Sequence, residues 1–149
     1  MTLKEQILLE CKNLLLSKIQ IETNQLNDLL ESTRNETKSS AGDKYETGRA
    51  MLQIEQDNTR ARLRALAVQQ AALNQLSSGT GNICVMAGSL VKTNRGHFFI
   101  SVALGKLMVD GQQVVTISAN SPLGQKLTGM KLLEEVVVNG ITYRVESIS

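Results

Sequence analysis

Two stretches whose apolar residues recur three and four apart constrain this chain more than any other feature. From Thr2 to about Thr33 there is no Gly or Pro, and Leu8, Leu15, Ile19, Leu26, Leu29 and Thr33 follow a single stripe. Residues three and four apart share one face of a helix, so this run predicts a long amphipathic helix. From about Asp43 to Leu76 the pattern returns. Leu52, Thr59, Leu66 and Leu73 stand seven apart, and Gln56, Leu63 and Gln70 fill the positions between. The second run therefore reads as a helix whose seam is partly polar.

Two helices of similar length joined by a short polar stretch bury their stripes most simply against each other, as an antiparallel hairpin. At 1.5 Å per residue each arm is about 45 to 50 Å long. The connecting stretch 34–48, which contains SSAGDKYETG, becomes the tip of such a rod.

Beyond SSGTGN (77–82) the composition changes. SLVKT, NRG, HFFISVAL, Asp110-Gly111 and QQVVTIS alternate β-branched or aromatic runs with turn signals, the pattern of a small sheet. Ser121 and Pro122 make an N-cap and first-turn pair for a short helix through Leu127, and VVV and ITYRV flank an Asn139-Gly140 hairpin turn. The expected organisation is α+β: a coiled-coil hairpin over 1–77 and a mostly antiparallel sheet domain with a short helix over 78–149.

Charge and composition remove several function classes. Lys and Arg number 16 against 14 Asp and Glu, a net charge of +2, which gives no general attraction for phosphate backbones or membrane surfaces. Aromatics are 3% of the chain with no Trp, so no ladder for stacking single-stranded bases is on offer. Lys4, Glu5 and Glu10 stand where a signal peptide needs an apolar core. The uncharged stretch 65–91 is too rich in Gln, Asn and Ser to span a bilayer. Cys11 and Cys84 match no metal or redox spacing, which fits a reduced, cytoplasmic protein with no membrane partner.

Few residues carry chemistry. Asp43 and Glu46, three apart, fit a capping box in which Asp43 accepts from the third backbone N–H of the second helix and Glu46 reaches back. As a metal site the pair is incomplete, because Mg²⁺ takes six oxygens; a partner would have to complete it. His97 stands beside Phe98 and Phe99 with no ligand spacing around it and reads as a strand-end residue. Neither cysteine has an activating neighbour for nucleophilic catalysis. In TRARLR (59–64), Arg60 and Arg64 share one helix face and Arg62 lies on another, the pattern of a solvated surface.

The tip GDKYE, followed by a long helix and then by ISANSPLGQKLTGM and EEVVVNGITYRVESI, resembles the Gre family of bacterial transcript cleavage factors over almost the whole chain. The most specific segment is carried by Ile117, Ser118, Ser121 to Gly124, Leu127 and Gly129, with Gly140, Tyr143 and Ile148 of the last hairpin. The tip signature G-D-x-x-E is met by Gly42, Asp43 and Glu46. The resemblance implies an N-terminal coiled coil that enters the secondary channel of RNA polymerase and a C-terminal domain of FKBP-like fold at the channel rim. It also implies that Asp43 and Glu46 share a Mg²⁺ with the polymerase active site, so that water cleaves backtracked RNA.

On that reading the free protein binds no cofactor, acts as a monomer, stimulates the polymerase's own cleavage rather than catalysing alone, and meets the nascent RNA 3′ end only indirectly. Tyr45, Arg49 and Arg60 are the residues expected to contact RNA. Thr47, Gly48 and Ala50 depart from the family's residues after the second acid. The alternatives are a regulator of the same channel without cleavage activity, whose acids serve only as caps, and a coiled-coil adaptor with no polymerase partner. A prolyl isomerase pocket would need more aromatic lining than Phe98, Phe99 and Tyr143 supply.

Overall fold

The computed structural model describes the backbone of residues 2–38, 42–76 and 83–149, and the side chains of all of these except 36–38 and 42–46. Helix α1 spans Leu3–Lys38 and α2 spans Gly42–Asn74. The sheet that follows comprises β1 (Leu90–Thr93), β2 (Gly96–Ser101), β3 (Gly105–Val109), β4 (Gln112–Ser118), β5 (Glu135–Val138) and β6 (Ile141–Ile148). The short helix α3 (Pro122–Leu127) lies between β4 and β5. The chain divides into two compact units, Asn13–Gln70, and Met1–Lys12 together with Ala71–Ser149.

The first unit is the greater part of an antiparallel helical hairpin. Its seam is the expected one: Leu15, Leu29, Gln56 and Thr59 are buried, while Ile19, Leu26, Thr33, Leu52, Leu63 and Leu66 are half-buried. The polar members are paired where they are buried. Gln56 Nε2 donates to Thr33 Oγ1 across the seam at 2.6 Å, and Thr33 Oγ1 donates to the Leu29 carbonyl at 2.9 Å. Thr59 Oγ1 likewise returns to the Glu55 carbonyl. Helical backbone covers most of the 34–48 stretch, since α1 runs on to Lys38 and α2 resumes at Gly42.

One substitution measures this polar seam. Thr33→Val removes the acceptor of a buried amide and is expected to cost about 1 to 3 kcal/mol. Gln56→Leu in the same background is expected to recover most of that loss, because two apolar partners leave nothing unpaired. Urea unfolding of the two single variants and the double variant checks this; additive losses would show that the bond does not couple the helices.

In the second unit the sheet order is β3-β4-β2-β1-β6-β5. The hairpin turns sit where the sequence signals place them. Asp110 and Gly111 adopt φ of 53° and 76°, and Asn139 and Gly140 adopt 51° and 78°, the doubly left-handed pattern of a type I′ turn. The expectation of a mostly antiparallel sheet holds with one exception, because β2 and β4 pair in parallel, His97 against Val114 through Ser101 against Ser118. β3 folds back onto the outer edge of β4, which leaves the two flanking strands side by side and running the same way. The sheet is therefore mixed. Val85, Val91, Phe98, Ile100, Leu127, Met130 and Val145 form its core, with the Phe98 and Tyr143 rings edge to face at 5.8 Å.

Candidate functional site

The acidic pair opens α2. With helical backbone beginning at Gly42, Asp43 falls inside the first turn, two positions past the place an N-cap would take, so the expected capping geometry at Asp43 is not the one the backbone adopts. Glu46 follows one turn later on the same helix. The side chains of Asp43, Tyr45 and Glu46 lie outside the described residues. What the backbone supplies is spacing: positions three apart in a helix have Cβ atoms about 5 to 6 Å apart, close enough for two carboxylates to reach one ion.

The basic residues named from the sequence are distributed along α2 rather than gathered at its start. Arg49 lies one turn beyond Glu46 and is exposed. Arg60 is also exposed, and at 1.5 Å per residue it stands about 21 Å further along the helix than Glu46. It does not share the acids' location. Arg62 is exposed, as the solvated-face reading of TRARLR expects, but it is also paired. Its Nε donates to Glu22 Oε2 at 3.0 Å across the hairpin, and its Nη2 donates to Thr59 Oγ1 at 3.1 Å. The signal was Glu22, which falls on the α1 stripe where a charge calls for a partner opposite.

Elsewhere the chemistry is muted. Among the described residues no three His, Cys, Asp or Glu side chains gather closely enough to hold a metal ion. His97 is the second residue of β2, opposite Lys92, and is half-buried. Cys11 is fully buried, and burial first, then the neighbouring Glu10, push its thiol up to about 11. A thiol in that state is protonated at neutral pH and is a poor nucleophile. Native protein treated with iodoacetamide near pH 8 is expected to be alkylated at the half-buried Cys84 well before Cys11; peptide mapping of the adducts checks the order. Burial also lowers the pKa of Lys4, a residue of α1's first turn. The turn itself is closed by a capping box, with Glu5 N–H donating to Thr2 Oγ1 and Thr2 N–H to Glu5 Oε2.

The segment SPLGQKLTG builds a tight corner. Ser121 is the N-cap of α3: its Oγ accepts from the Gly124 N–H at 3.0 Å and donates to the Ser118 carbonyl at 2.7 Å. Pro122 stands at the start of the helix, where a missing N–H costs nothing. Gly124 has no room for a side chain, since a Cβ there would collide with the Ser118 carbonyl oxygen. Thr128 Oγ1 donates to the Gly124 carbonyl at 2.6 Å, Leu127 is fully buried in the core, and the Gly129 N–H donates to the Val85 carbonyl at 2.7 Å. Each residue that carries the motif has a structural task.

No family model matches the chain. No curated protein matches it either. Among solved structures, one described as "Structure of the transcription factor Gfh1" matches with 18% sequence identity and a TM-score of 0.37, over 92% of this chain and 92% of that chain. Among the described residues no helix is long and apolar enough to cross a membrane.

Proposed function

We propose that the chain is a Gre-like bacterial transcription elongation factor that binds RNA polymerase, inserts its helical hairpin into the secondary channel and stimulates cleavage of backtracked RNA. The observation that carries this reading is a coincidence of two motifs with their expected places in the fold. G-D-x-x-E opens the second helix of an antiparallel hairpin, and S-P-L-G-x-x-L-x-G forms the corner between a strand and the short helix of the sheet domain.

The acids fit a shared divalent ion and not a private one. Two carboxylates one turn apart fill at most part of an octahedral Mg²⁺ shell, so the remaining ligands have to come from elsewhere. Asp43 and Glu46 are the residues of this chain that would hold the ion beside the polymerase's own aspartates. When bound there, Mg²⁺ supplies Lewis-acid activation of water and charge neutralisation at the phosphodiester. The protein's part is to carry two anionic oxygens into place and hold them on a helix, so that position rather than free affinity produces the effect.

A halted, backtracked polymerase complex with end-labelled RNA tests the proposal. Wild type is expected to shorten the transcript, whereas Asp43→Ala with Glu46→Ala is expected to leave it at the polymerase's unstimulated rate. Equal shortening by both proteins would defeat the role of the acids. Failure of both to shorten it, with binding retained, would point to a channel regulator without cleavage activity.

A further inference from the structure

The outer face of α2 is apolar where the outer face of α1 is not. On α1 the positions opposite the seam are Glu10, Ser17, Asn24 and Glu31, the usual solvated set. On α2 a second stripe runs at spacings of three and four through Met51, Ile54, Asn58, Ala61, Ala65 and Val68. All six are exposed, with Met51 at 64%, Ile54 at 58% and Val68 at 69% of full accessibility. This stripe borders an open groove of about 430 Å³ between the two helices, lined by Lys18, Ile21, Glu22, Arg62, Ala65 and Leu66.

We propose that this face associates with a second copy of the same chain, α2 against α2 in antiparallel orientation. The pattern is self-complementary under a two-fold axis. When Ile54 of one copy faces Ala65 of the other, Met51 faces Val68 and Asn58 faces Ala61, each pair occurring twice. A larger side chain then meets a smaller one in the Ile54 and Asn58 layers, and Ile54 enters the groove that Ile21, Ala65 and Leu66 line. Asn58 lies near the axis, where one polar residue in an apolar seam selects register.

Charge complementarity carries the choice of occupant. In the same register Asp57 of each copy lies beside Arg64 of the other, whereas Arg62 is already paired with Glu22 of its own chain. Within one chain Asp57 and Arg64 are seven residues apart, about 10.5 Å along the axis, too far to pair. Two opposite-charge pairs therefore flank the apolar layers only when two copies meet. The inference stands independently of the polymerase reading, because it concerns the purified chain alone.

Sedimentation equilibrium of the full chain tests it, with circular dichroism confirming that each variant is folded. Wild type is expected to move from a mass of 16.3 kDa towards twice that value as concentration rises. Val68→Glu is expected to weaken association by more than about tenfold, because each dimer would contain two carboxylates in its apolar layers. Asp57→Arg and Arg64→Asp each place like charges together twice and are expected to weaken association about fivefold. The two changes combined restore opposite charges and are expected to return association to within about twofold of wild type. A wild-type protein that stays monomeric up to its solubility limit overturns the proposal. So does a dimer indifferent to Val68→Glu, or one that the paired charge exchange fails to restore.

Discussion

Gly124→Ala is expected to destabilise the sheet domain by about 3 kcal/mol or more, an effect well beyond that of an ordinary surface substitution. The cause is geometric. An added methyl at this position would overlap the Ser118 carbonyl oxygen and crowd Ser121 Oγ at 2.9 Å and Ala119 Cα at 3.0 Å. Two of these three neighbours are backbone, so no rotamer change relieves the contact. Moving α3 away would break the Gly124 N–H bond to Ser121 and the Ser121 bond to Ser118, which together hold the helix start. It would also draw the buried Leu127 out of its place in the core.

The same corner provides its own control. Gly129 has a left-handed φ of 88°, yet a Cβ there meets nothing within 4 Å. Gly129→Ala therefore bears only the backbone strain, about 1 kcal/mol. Since each kcal/mol moves the midpoint of a domain this size by about 4 to 8 °C, calorimetry should place the Gly124 variant more than about 12 °C below wild type, with the Gly129 variant between the two. A Gly124→Ala protein that melts within a few degrees of wild type would remove the steric account of this motif.

That corner also shows what a sequence exposes and what it hides. Ser121 as an N-cap, Pro122 at the helix start and the Asp110-Gly111 and Asn139-Gly140 turns were readable because each depends on a few adjacent residues. The hairpin seam was readable for the same reason: Leu15, Leu29, Thr59 and Leu73 recur at a period that only a helix face satisfies, and all four are buried. Strand direction was not readable. Alternation in β2 and β4 records which residues face the core and carries nothing about which neighbour pairs with which, so the parallel contact made by folding β3 outward left no local trace.

Residues beside the seam divided in the same way. Ile7, Leu14 and Ile21 lie seven apart on one flank of the α1 stripe, yet Ile7 is fully buried, Leu14 half-buried and Ile21 mostly exposed. Spacing places them on one flank, but what covers that flank depends on tertiary packing. The apolar outer stripe of α2 was legible in principle, since Met51, Ile54 and Val68 lie at helical spacing; it was obscured by Asn58, Ala61 and Ala65, which carry weak hydrophobic signal. At the start of α2, helix boundaries are uncertain from sequence by one or two residues. That margin is what separates Asp43 as a cap from Asp43 as a first-turn residue.

The difference matters for the second large effect. Asp43→Asn and Glu46→Gln, tested one at a time on a backtracked polymerase complex, are each expected to lower stimulated cleavage on the order of a hundredfold, with polymerase binding kept within about twofold. These isosteric changes separate ligation from capping. Asn serves a helix start about as well as Asp, so a purely structural role for Asp43 predicts almost no loss from Asp43→Asn. Loss of one anionic oxygen from a shared ion predicts a large one. The double variant is expected to fall little further than either single variant, because two ligands of one ion act as a unit and their losses do not add. Raising Mg²⁺ is expected to recover part of the activity of each single variant, since a weakened ion site refills by mass action, whereas a damaged helix start would not respond to Mg²⁺. Single variants that cleave at the wild-type rate at every Mg²⁺ concentration would leave Asp43 and Glu46 with no part in the chemistry.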